Sequence, residues 1–266
     1  MQIVKKYPDG IFSWVDLSTT DLAGAHAFYS GLFGWDVDDQ PLPDGGSYTQ
    51  FRIDGFSVAG AGQMMQEMLD AGAPSVWTSY VNVEDADTTA ARAAEAGGVV
   101  FVPPMDVMDQ GRMALIQDPG GAPFGIWQPA AHIGAQVVNQ PNSLVWNELQ
   151  TLDKEKAEAF YNDVFGWSGE TSEGGYLMWY QDGRVHCGST PISADEGDFP
   201  PSWLVYFLVD DVDAVAARVA ELGGQVVSGP SAISGMGRMA VAQDPQGAVF
   251  AVIRFNGPAD SPPGTE

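Results

Sequence analysis

The chain repeats itself, and this internal duplication constrains its fold more than any other feature. Residues 77–127 match residues 203–253 at a constant offset of 126 positions, without a gap. The preceding segments, with Phe-Gly-Trp at 33–35 and 165–167, repeat at an offset of 132. A repeat of half the chain predicts two domains of the same architecture. A residue shared by both copies favours a structural role, and a residue found in one copy is the better functional candidate.

Each half of the chain contains two similar units. The first unit begins with an apolar strand at 11–17, after which Thr20 or Asp21 caps a helix whose apolar residues recur at helical spacing. Gly34 ends this helix, and Asp54-Gly55 marks a hairpin turn between two later strands. The same order returns three more times. The sequence therefore predicts an α+β fold, in which four βαβββ modules form two tandem open-barrel domains.

Two segments lack this periodicity and set the domain boundaries. We assign residues 1–131 to the first domain, 132–142 to a linker, 143–256 to the second domain and 257–266 to a flexible tail. Pairing of adjacent units within a half is the simplest arrangement, but exchange of units between halves or chains stays open. Both a monomer and a homodimer are compatible with the sequence.

The charge of the chain restricts its partners. It has 11 lysine and arginine residues against 35 aspartate and glutamate residues, a formal net charge of −24. Such a chain repels phosphate backbones and anionic membranes, so we expect no nucleic-acid or membrane partner. Cys187 is the single cysteine, and no classical signal peptide is present at the N-terminus. We therefore expect a cytoplasmic protein, with non-classical export left open.

Alternation along the strands predicts which side chains line a cup in each domain. On the strand at 11–17, Val15 and Leu17 are expected to face the helix, so Trp14 and Asp16 face the other side. Each unit leaves one sheet face uncovered by its own helix, and two such faces enclose a hollow. The cup-facing candidates are Trp14, Asp16, Tyr80, Asn82, Trp146, Glu148 and Tyr206, with further candidates Met178, Trp179 and Tyr180.

Four segments carry a family resemblance that covers most of the chain. They are TTDLAGAHAFYSGLFGW, its twin TLDKEKAEAFYNDVFGW, VDDVDAVAARVAELGG and DPGGAPFGIWQP. The chain resembles the vicinal oxygen chelate superfamily, which includes glyoxalase I, bleomycin-resistance proteins and extradiol dioxygenases. It is most similar to the tandem-duplicated, glyoxalase-like type of actinobacteria. The resemblance implies paired modules around a cup, in which many members hold a divalent metal.

The metal ligands of the family fall on unsuitable side chains here. The resemblance places the usual His or Gln of the first strand on Trp14 and Trp146, and the usual Glu of the last strand on Gly125 and Ala251. Neither indoles nor these small residues ligate a divalent ion through their side chains. We therefore predict no cofactor, with a displaced divalent metal as the alternative. His186, beside Cys187, is the histidine we favour for ligand contact or acid–base chemistry.

Three functions remain open from the sequence. The first is metal-free binding of a small aromatic or lipophilic molecule in a cup. The second is a metal-dependent lyase, or a dioxygenase or hydroxylase, with a displaced metal site. In the third, the aromatic rings simply fill the cups as core. Asp16 and Glu148 serve as ligand anchors or general bases in the first two, and only bind backbone donors in the third.

Overall fold

The computed structural model describes residues 1–43, 45–192 and 200–263. The elements of the first half are β1 (Phe12–Thr19), α1 (Leu22–Phe33), β2 (Asp36–Pro41), β3 (Ser47–Ile53), β4 (Phe56–Gln63), α2 (Gln66–Asp70), β5 (Val76–Asn82), α3 (Ala86–Glu95), β6 (Val99–Val107), β7 (Gly111–Gln117) and β8 (Pro123–Pro129). Those of the second half are β9 (Leu144–Thr151), α4 (Lys154–Phe165), β10 (Ser168–Thr171), β11 (Leu177–Gln181), β12 (Arg184–Pro191), β13 (Ser202–Leu208), α5 (Val212–Glu221), β14 (Gln225–Ile233), β15 (Gly237–Gln243) and β16 (Val249–Phe255).

Each half forms one open, eight-stranded mixed sheet. The strand orders are β2-β3-β4-β1-β5-β8-β7-β6 and β10-β11-β12-β9-β13-β16-β15-β14. The two modules of a half meet where their first strands pair antiparallel, with Trp14 opposite Tyr80 and Trp146 opposite Tyr206. Adjacent modules therefore share a sheet. The predicted α+β fold of four βαβββ modules in two tandem domains is confirmed.

Local signals in the sequence explain where helix α1 begins and ends and where the chain makes its hairpin turn. Asp21 caps α1 by accepting a hydrogen bond from the backbone N–H of Gly24 at 3.0 Å. Gly34 ends the helix at φ 73°, in the left-handed region that favours glycine. Asp54 and Gly55 both have positive φ, at 49° and 83°, as a tight hairpin turn requires. Of the helices in the described ranges, none is both long and apolar enough to cross a membrane.

The helix of the first module packs against the fourth module, in the other half of the chain. Tyr29 of α1 is fully buried, and its hydroxyl donates to Asp244 Oδ2 at 2.9 Å. The same hydroxyl accepts from Trp77 Nε1 at 2.9 Å. The Tyr29 ring lies 5.8 Å from that of Phe250. A three-residue polar chain thus joins β5, α1 and the turn before β16 inside an aromatic core.

The helix of the third module packs in the same way against the second module, again in the other half of the chain. The Tyr161 hydroxyl of α4 donates to Asp118 Oδ2 at 3.0 Å and accepts from Trp203 Nε1 at 2.8 Å. Its ring lies 5.6 Å from that of Phe124. The two large aromatic cores therefore each contain residues of both halves. Neither sheet buries its helix-covered face without the other half of the chain.

The tryptophan of each Phe-Gly-Trp motif fastens the segment before the other half's first strand. Trp35 Nε1 donates to the carbonyl of Asn142, and Trp167 Nε1 donates to that of Gly10, both at 2.7 Å. Gly10 and Asn142 are twins at an offset of 132. This reciprocity explains why the motif recurs in both copies at the end of the helix.

The linker and the tail follow comparable paths but pack differently. In the linker, the backbone N–H groups of Ala135 and Gln136 donate to the carbonyls of Ser13 and Ser57, both at 2.7 Å. In the tail, the carbonyl of Asp260 accepts from Asn139 Nδ2, and Pro262 and Pro263 are buried. Residues 264–266 of the predicted flexible tail lie outside the described residues.

Substitution of Tyr29 by phenylalanine tests the polar chain between the halves. The change leaves the Trp77 indole N–H without its acceptor and removes one donor from Asp244, so we expect the free energy of unfolding to fall by about 1–3 kcal/mol. Tyr161→Phe should lower it by a similar amount, because its contacts are the same. Urea denaturation measures both. Tyr180→Phe, outside both chains, is the control, and an equal loss there would contradict the interpretation.

Candidate ligand cups

A linked polar set lies on the face of the first sheet that turns away from the helices. We define cup 1 by Trp14, Asp16, Tyr48 and Tyr80. Trp14 Nε1 donates to the Tyr48 hydroxyl at 3.0 Å. The hydroxyls of Tyr48 and Tyr80 donate to the two carboxyl oxygens of Asp16, at 3.4 and 3.5 Å. One carboxyl group thus lies between two phenols, and an indole supports one of these.

The second sheet carries the same set, which we define as cup 2: Trp146, Glu148, Tyr176 and Tyr206. Trp146 Nε1 donates to the Tyr176 hydroxyl at 2.9 Å. The Tyr206 hydroxyl donates to Glu148 Oε1 at 3.0 Å, and Tyr176 also hydrogen-bonds the carboxyl group. Glutamate replaces aspartate, but the order of donors and acceptors is unchanged. The constellation belongs to the duplicated unit.

Small residues on the neighbouring parallel strands make room for the tyrosine rings. Gly60 lies opposite Asp16, and Gly125 lies opposite Tyr80. A Cβ on Gly60 would overlap the Tyr48 hydroxyl, and one on Gly125 would overlap the Tyr80 ring. Gly188, opposite Glu148, stands in the same relation to Tyr176. These positions accept the phenols because they have no side chain of their own.

Burial changes the acidity of both carboxyl groups. It raises the pKa of Asp16 from the ordinary 3.8 to about 7, and the hydrogen bonds from Tyr80 and Tyr48 oppose this rise. It also raises the pKa of Glu148, against hydrogen bonds from Tyr176 and Tyr206. Near neutral pH, Asp16 is therefore divided between an acid that donates a hydrogen bond and a carboxylate that accepts one.

Two members of the cups were missed in the sequence. Tyr48 and Tyr176 are twins at an offset of 128, which differs from both offsets used above. The turns Asp54-Gly55 and Asp182-Gly183 share that offset and would have aligned them. Trp179, which we considered for the cup, is instead fully buried against Tyr161 on the helix side, with ring centroids 5.6 Å apart.

Asn82 and His186 lie apart from the two carboxyl groups. The side-chain amide of Asn82, at the end of β5, donates to the carbonyls of Tyr7 and Pro8 at 3.4 and 3.1 Å. The ring of His186 lies 4.6 Å from that of Trp167. Burial, and to a lesser degree Arg184, lowers the pKa of His186 to about 3. His186 is neutral at physiological pH, and it shares a small cavity with Trp146.

The residues at the family's metal positions do not suit a metal ion. Trp14 uses its indole N–H as a donor to Tyr48, and the space next to Gly125 is filled by the Tyr80 ring. Across the described parts of the chain, no group of three or more histidine, cysteine, aspartate or glutamate residues is placed to hold a metal ion. The donor set in these positions is therefore phenolic and indolic, which divalent ions disfavour.

Comparison with known families places the chain. The sequence profile of the Glyoxalase/Bleomycin resistance protein/Dioxygenase superfamily matches residues 11–126 and 135–252. The two matches cover most of the chain, one in each half. The protein therefore belongs to this superfamily, and the resemblance carried by its repeated motifs is confirmed.

Among curated relatives, two kinds of protein stand out. "Putative glyoxylase CFP32" of Mycobacterium tuberculosis (strain CDC 1551 / Oshkosh) is 42% identical over 253 residues, which cover 94% of this chain and 96% of the relative. "Anthracycline biosynthesis protein DnrV" of Streptomyces peucetius is 36% identical over 268 residues, with 94% and 95% covered. Both span nearly the whole chain, so they share its tandem organisation.

Solved structures share the fold at low sequence identity. The Mn(II)-bound glyoxalase from Novosphingobium aromaticivorans has a TM-score of 0.65 at 17% identity, over 96% of this chain and 85% of that one. The 2,3-dioxygenase LapB from Pseudomonas sp. KL28 has a TM-score of 0.63 at 15% identity, over 96% and 95%. At these identities the likeness concerns the architecture alone.

The raised pKa of Asp16 predicts a pH dependence of stability. Between about pH 4 and pH 7 the unfolded chain has lost this proton and the folded chain keeps it, so the free energy of unfolding should fall as the pH rises through this window. Asp16→Asn should remove this contribution. Asp163→Asn, at an exposed carboxylate, is the control and should leave this pH dependence of the unfolding free energy unchanged.

The carboxyl ¹³C resonance of Asp16 measures the same pKa directly. We expect a titration midpoint near pH 7 in the wild-type protein. Tyr48→Phe and Tyr80→Phe should each move the midpoint upward, because both hydroxyls stabilise the ionised form. A wild-type midpoint near pH 4 would show that the carboxyl group is well solvated and would contradict the described geometry.

Proposed function

We propose that the protein binds a small planar organic molecule in a cup of its barrel-like domains, without the metal ion common in its superfamily. The duplicated indole, tyrosine and carboxyl set carries this proposal. The indoles and phenols offer faces and edges for an aromatic or lipophilic ligand. The carboxyl group, between two hydroxyls, offers hydrogen bonds to an oxygen or nitrogen of that ligand.

The pairing of apolar walls with one carboxyl group favours ligand binding over a filled core. A core needs no ionisable group, and burying one costs free energy unless something is gained in return. Both halves nevertheless retain a carboxyl group at this position, with its pKa raised. The ligand that fits is planar and has a hydroxyl, carbonyl or ring nitrogen near one edge.

The names of the relatives support an organic ligand. The superfamily's description includes bleomycin-resistance proteins, and a relative that is 36% identical is named an anthracycline biosynthesis protein. This relative covers 94% of the chain, so its name supports a planar organic molecule as the ligand class. The net charge of −24 disfavours polyanionic partners, so the partner in this proposal is a small molecule and not a nucleic acid.

A metal-dependent lyase or dioxygenase is the second candidate. It draws on the fold shared with the Mn(II)-bound glyoxalase and the 2,3-dioxygenase LapB. The residues in the family's ligand positions argue against it, because Trp14, Gly125, Trp146 and Ala251 offer no suitable donors. Metal analysis separates the two candidates.

Calorimetric titration with 2-naphthol, a planar phenol, tests the proposal. We expect saturable binding that is unchanged after dialysis against EDTA. The double substitution Trp14→Ala and Trp146→Ala should weaken it about two- to tenfold, because each cup loses one ring contact worth roughly 0.5–1.5 kcal/mol. Val76→Ala, on the exposed start of β5, is the control.

Two results would count against this function. The first is the absence of saturable binding in the wild-type protein. The second is a stoichiometric divalent metal whose removal abolishes binding and whose return restores it, which would establish the metal-dependent alternative. 2-Methoxynaphthalene, which cannot donate a hydrogen bond, should bind more weakly than 2-naphthol if the carboxyl group accepts from the ligand.

A further inference from the structure

In the linker, the side chain of His132 covers Trp14, the tryptophan of cup 1. The imidazole of His132 meets the Trp14 ring edge-on, with centroids 4.4 Å apart and an interplanar angle of 83°. The carbonyl of His132 accepts from Trp127 Nε1 at 2.8 Å, which holds the linker in place. As a result, Trp14 is only 3% exposed.

The corresponding place in the second half has no such ring. The tail leaves β16 in the same way as the linker leaves β8. The backbone N–H of Asn256 donates to the carbonyl of Met236 at 2.8 Å, and that of Ala130 donates to the carbonyl of Gln110 at 3.0 Å. At the same offset of 126, the twin of His132 is Pro258, which is exposed. Trp146, the twin of Trp14, is only partly buried.

A cavity of about 100 Å³ lies beside Trp146, where the linker lies in the first half. Val145 and Val185 line it, and their twins are Ser13 and Ser57, the residues to which the linker backbone is hydrogen-bonded. Pro263, the twin of Val137, lines the cavity as well.

The prolines of the tail explain why this space is not closed in the same way. Gln136 and Val137 donate backbone hydrogen bonds to Ser57 at 2.7 and 3.3 Å. Their twins are Pro262 and Pro263, which have no backbone N–H and cannot make these bonds. The tail is held instead by its carbonyls: that of Asp260 accepts from Asn139, and that of Ser261 accepts from Arg184.

We infer that this cavity beside Trp146 binds one planar phenolic ring, which contacts Trp146 as the His132 imidazole contacts Trp14. The inference rests on the proposed function and assigns the external ligand to the second half of the chain. The imidazole of His132 already covers Trp14 in cup 1, so we expect one ligand per chain.

Shape and polarity of the cavity define the ligand class. A volume of about 100 Å³ suits a single ring, since an apolar cavity of roughly 150 Å³ accommodates benzene. Phe255 and the two valines provide apolar walls. His186 Nδ1 is buried without a hydrogen-bond partner in the described structure, and a hydroxyl group satisfies it in either tautomer, because a hydroxyl both donates and accepts.

A larger substituent on the phenolic ring can extend from the cavity into a neighbouring cleft. The cavity shares Ile11, Arg184 and Pro263 with a neighbouring open cleft of about 690 Å³, which Lys6 and Tyr7 also line. A phenolic ring with a larger group attached therefore fits with its ring beside Trp146 and its substituent in the cleft. Arg184, which lines both spaces, also donates a hydrogen bond to the carbonyl of Ser261 in the tail.

Phenol, with toluene as its match without a hydroxyl, tests the inference by calorimetry. We expect one phenol per chain, bound more tightly than toluene. Val185→Phe fills the cavity and Trp146→Phe reduces its ring surface, so both should weaken phenol binding, the first about tenfold or more. Ser57→Thr, at the position in the first half that is the twin of Val185, should leave phenol binding unchanged.

The variant His132→Gly allows a further experiment, whose result does not depend on the proposed function. This variant removes the internal ring, so added imidazole should raise its melting temperature by several degrees and leave that of the wild-type protein unchanged. The variant should also bind a second phenol. Absence of imidazole rescue, or a single phenol site that Trp14→Phe disrupts and Val185→Phe spares, would overturn the inference.

The two proposals fail in different ways. If the wild-type protein binds 2-naphthol and no phenol, or binds phenol with equal affinity after Val185→Phe, the assignment to this cavity is wrong and the proposed function stands. If it binds neither 2-naphthol nor phenol, both proposals are overturned.

Discussion

The structure depends on a buried chain of three groups that is built twice: an indole N–H donates to a tyrosine hydroxyl, which donates to a carboxyl oxygen. In one copy the groups are Trp77, Tyr29 and Asp244. In the other copy they are Trp203, Tyr161 and Asp118. Each chain crosses from one half to the other inside an aromatic core. The two halves therefore fold against each other, and the helices are held between the sheets, which leaves the opposite sheet faces free to form cups.

The cups use the same types of group for a different purpose. There too an indole donates to a phenol beside a carboxyl group, but the carboxyl lies on a sheet face that no helix covers. At the positions where the family resemblance implies metal ligands, this chain has indoles and small residues, and the Tyr80 ring fills the space next to Gly125. The proposed ligand, a planar ring with one polar edge, matches these ring faces and the carboxyl group.

The duplication is broken where the two domains end. After the first domain, the chain must continue into the second, and the linker lies over Trp14 with hydrogen bonds from its backbone and the ring of His132. Prolines in the tail cannot make the equivalent bonds, and a cavity remains beside Trp146. The tryptophans of the two cups therefore differ in burial: Trp14 is buried and Trp146 is only partly buried.

The sequence by itself determined the domain organisation, because the repeat, the helix caps and the hairpin turns are local signals that act within a few residues. It also placed Trp14 and Asp16 on one face of the first sheet, and Trp146 and Glu148 on the equivalent face of the second, since alternation along a strand is local as well. Only the tertiary structure decided which modules share a sheet, that Tyr48 and Tyr176 join the carboxyl groups, and that His132 covers one cup. Those contacts link residues far apart in the chain, and their geometry depends on strand register and on the path of the linker, which no local pattern encodes.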